Sequence, residues 1–366
     1  MNMADKNMSR KLLLAAGGTG GHMFPAQALA ENLKAQGWEI ALMTDARGRK
    51  HCGRIPADPI IEVQAASISP RKPIQAINGA LKLARGVKQA KAFIREWKPD
   101  VIVGFGGYPA FPAMRAAQSA GLPTILHEQN AVLGRVNRVF AAKATHVVTG
   151  FDVLEKVSPK ANVQCLGNPM RAQIVEAMPS DYQAPNETIN VLIVGGSLGA
   201  RILSQSLPKA IALLPKDLRG RLRVVQQTTE SELTNARQAY TDAGVTAICE
   251  TFFSDIEIHL AVAHYVVGRA GASSVSEIAL MGKPSLLIPL AIAMDDHQTV
   301  NARSLEEHGA ADILPESEFT PQSVANILQD RLNDSNWLSS AAASARSLGR
   351  PNAARDLAQL VVTTVT

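Results

Sequence analysis

Short apolar runs alternate along this chain with segments long enough to form helices, and the alternation occurs in both halves. In the first half the apolar runs are residues 12–16, 40–44, 101–103, 124–126 and 146–148. In the second half they are residues 191–194, 222–226, 246–249, 265–267 and 285–288. Strands that alternate with helices in this way form a parallel sheet covered by helices on both faces. The pattern therefore predicts an α/β fold with two Rossmann-like, doubly wound parallel-sheet domains.

The chain between the two halves, residues 158–190, has a different composition. This stretch is richer in proline, asparagine and glutamine, which interrupt regular elements and are typical of a domain junction. We place the boundary near Gly167-Asn168-Pro169, so that residues 1–169 form the N-terminal domain and residues 170–350 the C-terminal domain. A cleft is expected between the two. The periodicity of the last helix, residues 351–366, suits either domain, and we expect it to pack back on the N-terminal one.

Two of the apolar runs lead directly into a glycine-rich turn and then a helix, at residues 12–22 (LLLAAGGTGGH) and 191–200 (VLIVGGSLGA). Glycine has no Cβ to hold a ligand away, and the following helix presents free amides to the same spot. The first turn departs from the dinucleotide fingerprint at Met23, and neither turn continues into the Gly-Lys-Ser/Thr of a P-loop. We therefore expect an anionic or polyol ligand, with tight turns that bind nothing as the alternative.

Composition limits the class of protein. A chain of 366 residues suits two domains of about 150 residues each. Its three cysteines, Cys52, Cys165 and Cys249, include no Cys-x-x-Cys pair, which argues against a disulfide framework or a zinc site and suits a reducing cytoplasm. We find no apolar run of membrane-spanning length and no signal-peptide core before the first glycine turn. The net charge of +5 favours anionic partners.

Much of the positive charge lies in residues 71–98, which contain eight basic residues and one acid. On a helix, residues 83, 87, 90, 94 and 97 form an apolar stripe, and residues 85, 88, 91, 95 and 98 form a basic one. A core face opposite a solvated face explains this pattern equally well. The alternative is docking on anionic lipid headgroups, and nucleic acid is disfavoured because aromatic residues are scarce. The candidate membrane-surface residues are Arg71, Lys72, Ile74, Ile77, Leu81, Lys82, Arg85 and Lys88.

Two clusters in the first half could carry chemistry. His22 ends the glycine turn where a helix begins, and an imidazole there can accept a proton from a hydroxyl group. A histidine that only hydrogen-bonds the turn is the alternative. His127-Glu128-Gln129-Asn130 follows another apolar run and is expected to offer four polar side chains to the same cleft. Glu128 and Asn130 could instead pin loops by hydrogen bonds, and Asn130 is the preferred ligand candidate.

Two further clusters lie in the second half. Residues 268–277 (GRAGASSVSE) follow an apolar run, and their small side chains allow a diphosphate to approach a helix start. Ser274 and Glu277 also have the spacing of a capping box, whereas a carboxylate at this position can accept the hydroxyls of a ribose. Asp295-Asp296-His297-Gln298, with Asn301, either reads sugar hydroxyls or caps a helix.

Several motifs occur in order over nearly the whole chain: Gly17-Gly18-Thr19-Gly20-Gly21-His22, Gly106-Gly107-Tyr108-Pro109, His127-Glu128-Gln129-Asn130, Gly167-Asn168-Pro169, Gly195-Gly196-Ser197, Arg269-Ala270-Gly271-Ala272-Ser273 and Asp296-His297-Gln298. Together they strongly resemble the MurG family, the N-acetylglucosaminyltransferases of bacterial peptidoglycan synthesis. The resemblance implies a GT-B fold, in which two Rossmann-like domains face a cleft. It also implies inverting transfer of N-acetylglucosamine from UDP-N-acetylglucosamine to the muramoyl C4 hydroxyl of lipid I, giving lipid II and UDP.

The resemblance also assigns roles to residues. His22 is the implied base, and Glu277 is implied to bind ribose while the backbone of Phe253 reads uracil. The implied donor contacts are Thr19, Gly20, Gly21, Asn130, Arg171, Ser197, Phe253, Ala272, Ser273, Ser274, Val275, Ser276, Glu277 and Gln298. On the acceptor side we expect Gly17, Gly18, Tyr108 and Glu128. Leu198 stands where the family commonly has glutamine, and no Asp-x-Asp motif is present, so we expect no metal and no cofactor.

An acceptor with an undecaprenyl tail remains in the bilayer, so the resemblance implies peripheral attachment to the cytoplasmic face of the inner membrane. The expected partners are UDP-N-acetylglucosamine, lipid I, anionic lipids and proteins of cell-wall synthesis or division, but no nucleic acid. A UDP-N-acetylglucosamine 2-epimerase is one alternative, because it could share the fold and the donor. A non-catalytic nucleotide-sugar sensor or membrane scaffold is another, and it would have no use for a base at His22.

Overall fold

The computed structural model describes residues 9–18, 20–50, 52–66, 73–196 and 201–366, with side chains from residue 77 in the fourth range. The expected site residues Thr19, Ser197, Arg71 and Lys72 lie outside the described residues, as do Leu198 and the side chain of Ile74. The chain divides into two compact units. Unit 1 comprises Met1–Arg171 and Pro351–Thr366, and unit 2 comprises Ala172–Arg350.

Each unit is built on one parallel sheet. The strands of unit 1 are β1 (Lys11–Ala15), β2 (Glu39–Thr44), β3 (Ile60–Glu62), β4 (Val101–Gly104), β5 (Thr124–Glu128), β6 (His146–Thr149) and β7 (Val163–Cys165). Those of unit 2 are β8 (Ile189–Val194), β9 (Leu222–Gln227), β10 (Thr246–Glu250), β11 (Tyr265–Gly268), β12 (Ser285–Leu287) and β13 (Ala311–Ile313). Every pair of neighbouring strands is parallel.

Helices connect these strands. In chain order they are α1 (Gly20–Ala35), α2 (Ala46–Arg49), α3 (Pro73–Trp97), α4 (Gly107–Ser119), α5 (Arg135–Phe140), α6 (Ala172–Glu176), α7 (Arg201–Ala212), α8 (Lys216–Arg221), α9 (Leu233–Asp242), α10 (Ile256–Val262), α11 (Ala272–Met281), α12 (His297–Glu306), α13 (Pro321–Leu332), α14 (Ser335–Leu348) and α15 (Ala353–Thr364). None of the helices in the described ranges combines the length and the apolar character that a membrane crossing requires.

Strand order places the candidate crevices. The sheet of unit 1 runs β3-β2-β1-β4-β5-β6-β7, and that of unit 2 runs β10-β9-β8-β11-β12-β13. In each sheet the order reverses between two central neighbours, β1 and β4 in unit 1 and β8 and β11 in unit 2. Ligands of doubly wound sheets bind beyond the carboxyl ends of the strands at such a reversal. Both glycine-rich turns begin there, since one follows β1 and the other follows β8.

Helices cover both faces of the sheet in unit 1 because successive side chains of a strand point to opposite faces. Leu12 and Leu14 of β1 pack in one apolar cluster with residues of α1 and α15, including Leu33 and Leu357. Leu13 packs in a second cluster with residues of α3 and α4. All three leucines of β1 are fully buried. In unit 2, alternate residues of β8 pack with α7, α9 and α13.

The α/β class and the two parallel sheets are confirmed. The apolar runs locate ten of the thirteen strands in the described residues, and they miss β3, β7 and β13. These three strands have three residues each and lie at the edges of their sheets. β12 is equally short but lies within the apolar run 285–288, whereas β3, β7 and β13 contain Glu62, Gln164 and Asp312 and form no such run.

Candidate functional site

In unit 1, the segments that follow β1 and β4 meet at the point where the strand order reverses. The glycine turn leads into α1, whose first residues are Gly20 and Gly21. After β4, Gly106 and Gly107 adopt positive φ angles of 83° and 69°, which glycine tolerates and other residues rarely adopt. A Cβ placed on Gly107 would lie 3.4 Å from His22 Nε2. The backbone at the start of α4 is therefore next to the imidazole.

His22 is partly exposed, and its ring is held from the opposite side. Its Nδ1 lies 2.9 Å from Oε1 of Gln129. The imidazole is thus fixed by its Nδ1 edge, while Nε2 faces the segment that begins with Gly107. This arrangement leaves one ring nitrogen for a reacting hydroxyl group, which is the geometry that a general base requires.

His127 lies on the interior side of Gln129 and His22 and is completely buried. Its Nε2 is 3.1 Å from the carbonyl oxygen of Gly167, and its Nδ1 is 3.0 Å from Nε2 of Gln129. Burial lowers the pKa of His127 to about 4, because the imidazolium form would lose its hydration. The expectation that His127 offers its side chain to a cleft is wrong, because β5 extends through His127 and Glu128 and carries both into the interior.

Glu128 is also buried, and both of its oxygens accept hydrogen bonds from the protein. Oε1 accepts from the backbone and side-chain nitrogens of Asn130, each at 3.2 Å. Oε2 accepts from the backbone of Gly134 at 2.8 Å and from Nδ2 of Asn137 at 2.9 Å. The loop-pinning interpretation of Glu128 is the one that this geometry favours. Asn130 remains partly exposed beside it.

The expected acceptor residue Tyr108 belongs to a second network beside the glycine turn. Its hydroxyl accepts a 2.6 Å hydrogen bond from Nη2 of Arg47 and donates to Oδ2 of Asp45 at 3.1 Å. Gly17 is pressed against this network, since a Cβ there would lie 2.7 Å from Oδ1 of Asp45. Sequence analysis missed Arg47 and Asp45, although their position just after β2, at the same sheet edge as the glycine turn, was a usable signal.

Arg171 is held close to the start of α1. Its guanidinium carbon lies 4.7 Å from the ring centroid of Phe24, a cation–π geometry. The Phe24 ring in turn lies against Gly20, where a Cβ would approach it to 2.9 Å. Arg171 therefore places a fixed positive charge near the first turn of α1, within the same unit.

In unit 2, α11 begins directly at the reversal of strand order, with Gly271 as its N-cap. The first intrahelical bond runs from the Val275 amide to the Gly271 carbonyl. The earlier amides, those of Ala272, Ser273 and Ser274, thus belong to the open end of the helix. Because Gly271 is the N-cap and Ser274 lies inside the helix, the alternative interpretation of Ser274 and Glu277 as a capping box is wrong.

The side chains of α11 divide between the core and the surface. Val275 is fully buried, and its amide already donates to the Gly271 carbonyl. Ser276 and Glu277 are partly exposed. One helical turn separates Glu277 from the open amides.

The segment after β12 is held by two side chains. Gln298 accepts a 2.9 Å hydrogen bond from the amide of Leu290 through Oε1, which leaves its amide NH₂ available. Arg269 donates to the carbonyls of Ile288 and Pro289, and it pairs with Glu316. Asn301, expected beside Gln298 as a sugar-reading residue, is instead fully buried and donates to the carbonyl of Ala270. That expectation for Asn301 is wrong.

Phe253 lies between β10 and α10 and is partly exposed. Its ring packs edge-on against His259, with the centroids 4.9 Å apart.

In the described residues, no three histidine, cysteine, aspartate or glutamate side chains gather closely enough to hold a metal ion.

The basic segment of unit 1 forms the 25-residue helix α3. Leu83, Ala90 and Ile94 are buried against the core, so this part of the apolar stripe is a core face. Ile77 and Leu81 behave differently, with 63% and 53% of their surface exposed. The basic residues Lys82, Arg85 and Lys88 are exposed on the same helix. The N-terminal half of α3 therefore presents an apolar pair together with positive charge.

Comparisons with known proteins identify the family. Residues 12–149 match the glycosyltransferase family 28 N-terminal domain, and residues 190–361 match the C-terminal domain of that family. A protein of Maricaulis maris is 51% identical over 96% of this chain and 97% of its own length. A protein of Caulobacter vibrioides strain NA1000 is 46% identical over 97% and 99%. Both are named UDP-N-acetylglucosamine–N-acetylmuramyl-(pentapeptide) pyrophosphoryl-undecaprenol N-acetylglucosamine transferase.

Solved structures agree with these matches. The crystal structure of Acinetobacter baumannii MurG superposes with a TM-score of 0.80 at 29% identity, over 97% of this chain and 99% of that one. A putative UDP-N-acetylglucosamine 2-epimerase from Listeria monocytogenes has a TM-score of 0.67 at 14% identity, over 97% and 96%. The latter similarity concerns the fold alone. The chain belongs to the MurG family of glycosyltransferases, within glycosyltransferase family 28.

Proposed function

We propose that this protein transfers N-acetylglucosamine from UDP-N-acetylglucosamine to the C4 hydroxyl of the muramoyl sugar of lipid I, producing lipid II and UDP with inversion at the anomeric carbon. The observation that carries the proposal is the placement of His22, whose Nδ1 is held by Gln129 while Nε2 faces the start of α4. The names of the relatives, at 51% and 46% identity, support transfer rather than epimerisation.

An inverting transfer requires a base at the acceptor hydroxyl and stabilisation of the leaving diphosphate. We assign the base to His22, which would take the proton of the C4 hydroxyl as its oxygen attacks the anomeric carbon. The bond from that carbon to the UDP oxygen breaks as the new glycosidic bond forms. The sugar reacts in one displacement, so no nucleophilic side chain is needed.

We assign the donor to unit 2; donor contacts at Gly20, Gly21, Asn130 and Arg171 remain predictions from the family resemblance. The open amides of Ala272, Ser273 and Ser274 would bind the diphosphate, where each favourable charge at a helix start contributes about 0.3–1 kcal/mol. Further donor contacts are assigned to the backbone of Phe253 for uracil, Glu277 for ribose, and the NH₂ group of Gln298 for the sugar.

We assign the acceptor to unit 1. Gly17, Gly18 and Tyr108 lie at the sheet edge that carries His22, and Arg47 adds a positive charge on the Tyr108 hydroxyl. Lipid I contains a diphosphate, and the guanidinium of Arg47 would bind that negative charge. Glu128 is left out of this set, because its two oxygens are already occupied by the protein.

We further propose that the enzyme binds peripherally to the cytoplasmic face of the inner membrane through α3. Ile77 and Leu81 would enter the headgroup region while Lys82, Arg85 and Lys88 meet anionic lipids. Proteins of cell-wall synthesis or division are proposed partners of the enzyme at that surface.

The central test measures UDP release from UDP-N-acetylglucosamine with and without a lipid-linked muramoyl acceptor. Release that depends on the acceptor supports the transferase. Release without the acceptor, or isomerisation of the donor sugar, would instead support an epimerase.

Two substitutions test the assigned roles. His22→Ala should lower kcat by about 10²- to 10⁴-fold and leave donor binding nearly unchanged, whereas His308→Ala, at an exposed position of unit 2, should change neither. Glu277→Ala should raise the donor KM with little effect on thermal stability. Equal loss of turnover and donor binding in His22→Ala would assign His22 to binding rather than catalysis.

A further inference from the structure

A chain of four polar groups runs from the interior of unit 1 to His22. The Gly167 carbonyl lies 3.1 Å from Nε2 of His127, and Nδ1 of His127 lies 3.0 Å from the side chain of Gln129. The other end of that amide lies 2.9 Å from Nδ1 of His22. His127 is 0% exposed and Gln129 is 3% exposed. Water therefore has little access to the inner bonds of the chain.

The direction of these bonds follows from their buried end. A backbone carbonyl can only accept, so Nε2 of His127 must carry a proton and donate to Gly167. Burial also keeps His127 neutral, since its pKa is lowered to about 4. A neutral imidazole with a proton on Nε2 has a lone pair on Nδ1. Gln129 must therefore turn its NH₂ group towards His127.

The remaining end of the Gln129 amide is its carbonyl oxygen, which accepts only. His22 must then donate from Nδ1, and this leaves the lone pair of the neutral ring on Nε2. That nitrogen is the one beside Gly107. The backbone of Gln129 is fixed as well, because its carbonyl accepts a 3.0 Å bond from Nδ2 of the buried Asn168.

We propose that Gln129 and His127 are positioning residues that set the tautomer of His22, so that Nε2 is the unprotonated nitrogen presented to the acceptor hydroxyl. The Gly167 carbonyl fixes His127, which fixes Gln129, which fixes His22. Without this chain, an imidazole in water favours the opposite tautomer, with the proton on Nε2. The inference deepens the proposed function and rests on it for its kinetic consequence, but the tautomer itself can be observed without any substrate.

The first test is spectroscopic and uses the full-length enzyme with ¹⁵N-labelled histidine. Long-range ¹H–¹⁵N correlation spectra distinguish protonated from unprotonated ring nitrogens, and His22→Ala and His127→Gln assign the signals. We expect His22 to carry its proton on Nδ1 and His127 on Nε2. A wild-type His22 with its proton on Nε2 would overturn the proposal, whatever the enzyme's activity.

The second test replaces Gln129. Gln129→Leu removes the side-chain hydrogen bonds to His22 and His127. We expect His22 to move towards the Nε2-protonated form and kcat to fall by about 10²-fold with little change in the donor KM. Gln129→Glu keeps an acceptor for His22, so we expect its tautomer to be retained and kcat to remain above that of Gln129→Leu. In this variant His127 should become doubly protonated to face the carboxylate.

The matched control is Gln118→Leu, which removes a side-chain amide bond to the Phe140 carbonyl in the same unit. We expect it to alter stability without changing kcat or the His22 spectrum. If Gln129→Leu loses activity while His22 keeps its proton on Nδ1, the residue has only a structural role and the proposal fails. Loss of acceptor-dependent UDP release in the wild type would instead refute the proposed function, leaving the spectroscopic result intact.

Discussion

Two neighbouring residues of β5 differ most from what sequence analysis could predict. His127 and Glu128 extend the strand beyond its apolar run because their polar atoms find partners in the interior. The partners of Glu128 lie within nine residues of it, but Gly167, which fixes His127, lies forty residues away. A local pattern contains no information on such a pairing. His22 was predictable, because both the glycine turn and the helix start lie within a few residues of it.

The burial of His127 gives the stability of the protein a defined pH dependence. Its pKa is about 4 when folded, against an ordinary value of 6.5. Between these values the unfolded chain binds the proton and the folded chain does not. The contribution is thus fully present above pH 6.5, and it is lost as the pH falls towards 4, by about 3 kcal/mol in all.

Urea unfolding of the wild type and His127→Gln between pH 7.5 and 4.5 measures this contribution. We expect the free energy of unfolding to fall more steeply with acidification in the wild type. Burial also lowers the pKa values of His146 and His264, but both residues are present in the two proteins, so the difference isolates His127. Parallel pH profiles of the two proteins would show that folding does not lower the pKa of His127.

Gly107 allows a prediction that separates backbone strain from crowding at the base. Gly107→Ala places a Cβ 3.3 Å from Pro109 Cδ and 3.4 Å from His22 Nε2, at a φ of 69°. Gly121 has nearly the same φ, 71°, and a Cβ there would meet nothing within 4 Å. We expect both alanine variants to lose similar stability, about 1–2 kcal/mol. Only Gly107→Ala should also lower kcat, by at least 10-fold, in the UDP-release assay. Equal kcat values in the two variants would contradict the placement of the acceptor at Nε2.

At the scale of elements, α3 shows how far helical periodicity can be read. The spacing of residues 83, 87, 90, 94 and 97 predicted one apolar stripe, and Leu83, Ala90 and Ile94 of this stripe are buried. Ile77 and Leu81 do not continue it, because at 3.6 residues per turn they fall on the opposite side of the helix, where they are exposed together with Arg85 and Lys88. Periodicity therefore separates a buried apolar face of α3 from an exposed face that carries both apolar and basic residues.

Charge reversal on α3 tests its membrane role. We expect Lys82→Glu combined with Arg85→Glu to weaken binding to vesicles that contain anionic lipid by at least 10-fold, because each basic residue contributes about 1 kcal/mol near such a surface. The control, Lys143→Glu combined with Lys160→Glu, makes the same charge change at exposed positions of unit 1 and should bind nearly as the wild type does. Equal weakening in both would indicate a general effect of net charge, and unchanged binding in the α3 variant would exclude this helix.

At the scale of the whole molecule, the duplicated alternation of strands and helices was sufficient to predict two parallel sheets. It could not predict the strand order, which depends on the side of β1 or β8 to which the chain returns. The two reversals of order follow from that choice. They bring the residues after β4 beside His22 in unit 1, and in unit 2 they bring Arg269, just after β11, beside the end of β8, where its amide donates to the Val194 carbonyl. The glycine content of the sequence predicted both turns, but the sequence did not indicate which strand lies next to each turn.

The last helix gives a prediction about how the chain is divided. Leu357 and Val361 of α15 are fully buried in the core of unit 1, with Leu12 and Leu33. We expect Leu357→Ala to destabilise unit 1 by about 2–5 kcal/mol, because it removes core contacts and leaves a cavity. Leu328→Ala, in the core of unit 2, is the matched control.

Tryptophan fluorescence can follow the two units separately. Trp38 and Trp97 belong to unit 1 and Trp337 to unit 2, so Trp337→Phe leaves reporters in unit 1 alone. In that background, Leu357→Ala should lower the thermal midpoint reported by fluorescence by several degrees, whereas Leu328→Ala should leave it nearly unchanged. If Leu328→Ala lowers this midpoint and Leu357→Ala does not, α15 packs with unit 2, and the chain does not return to unit 1.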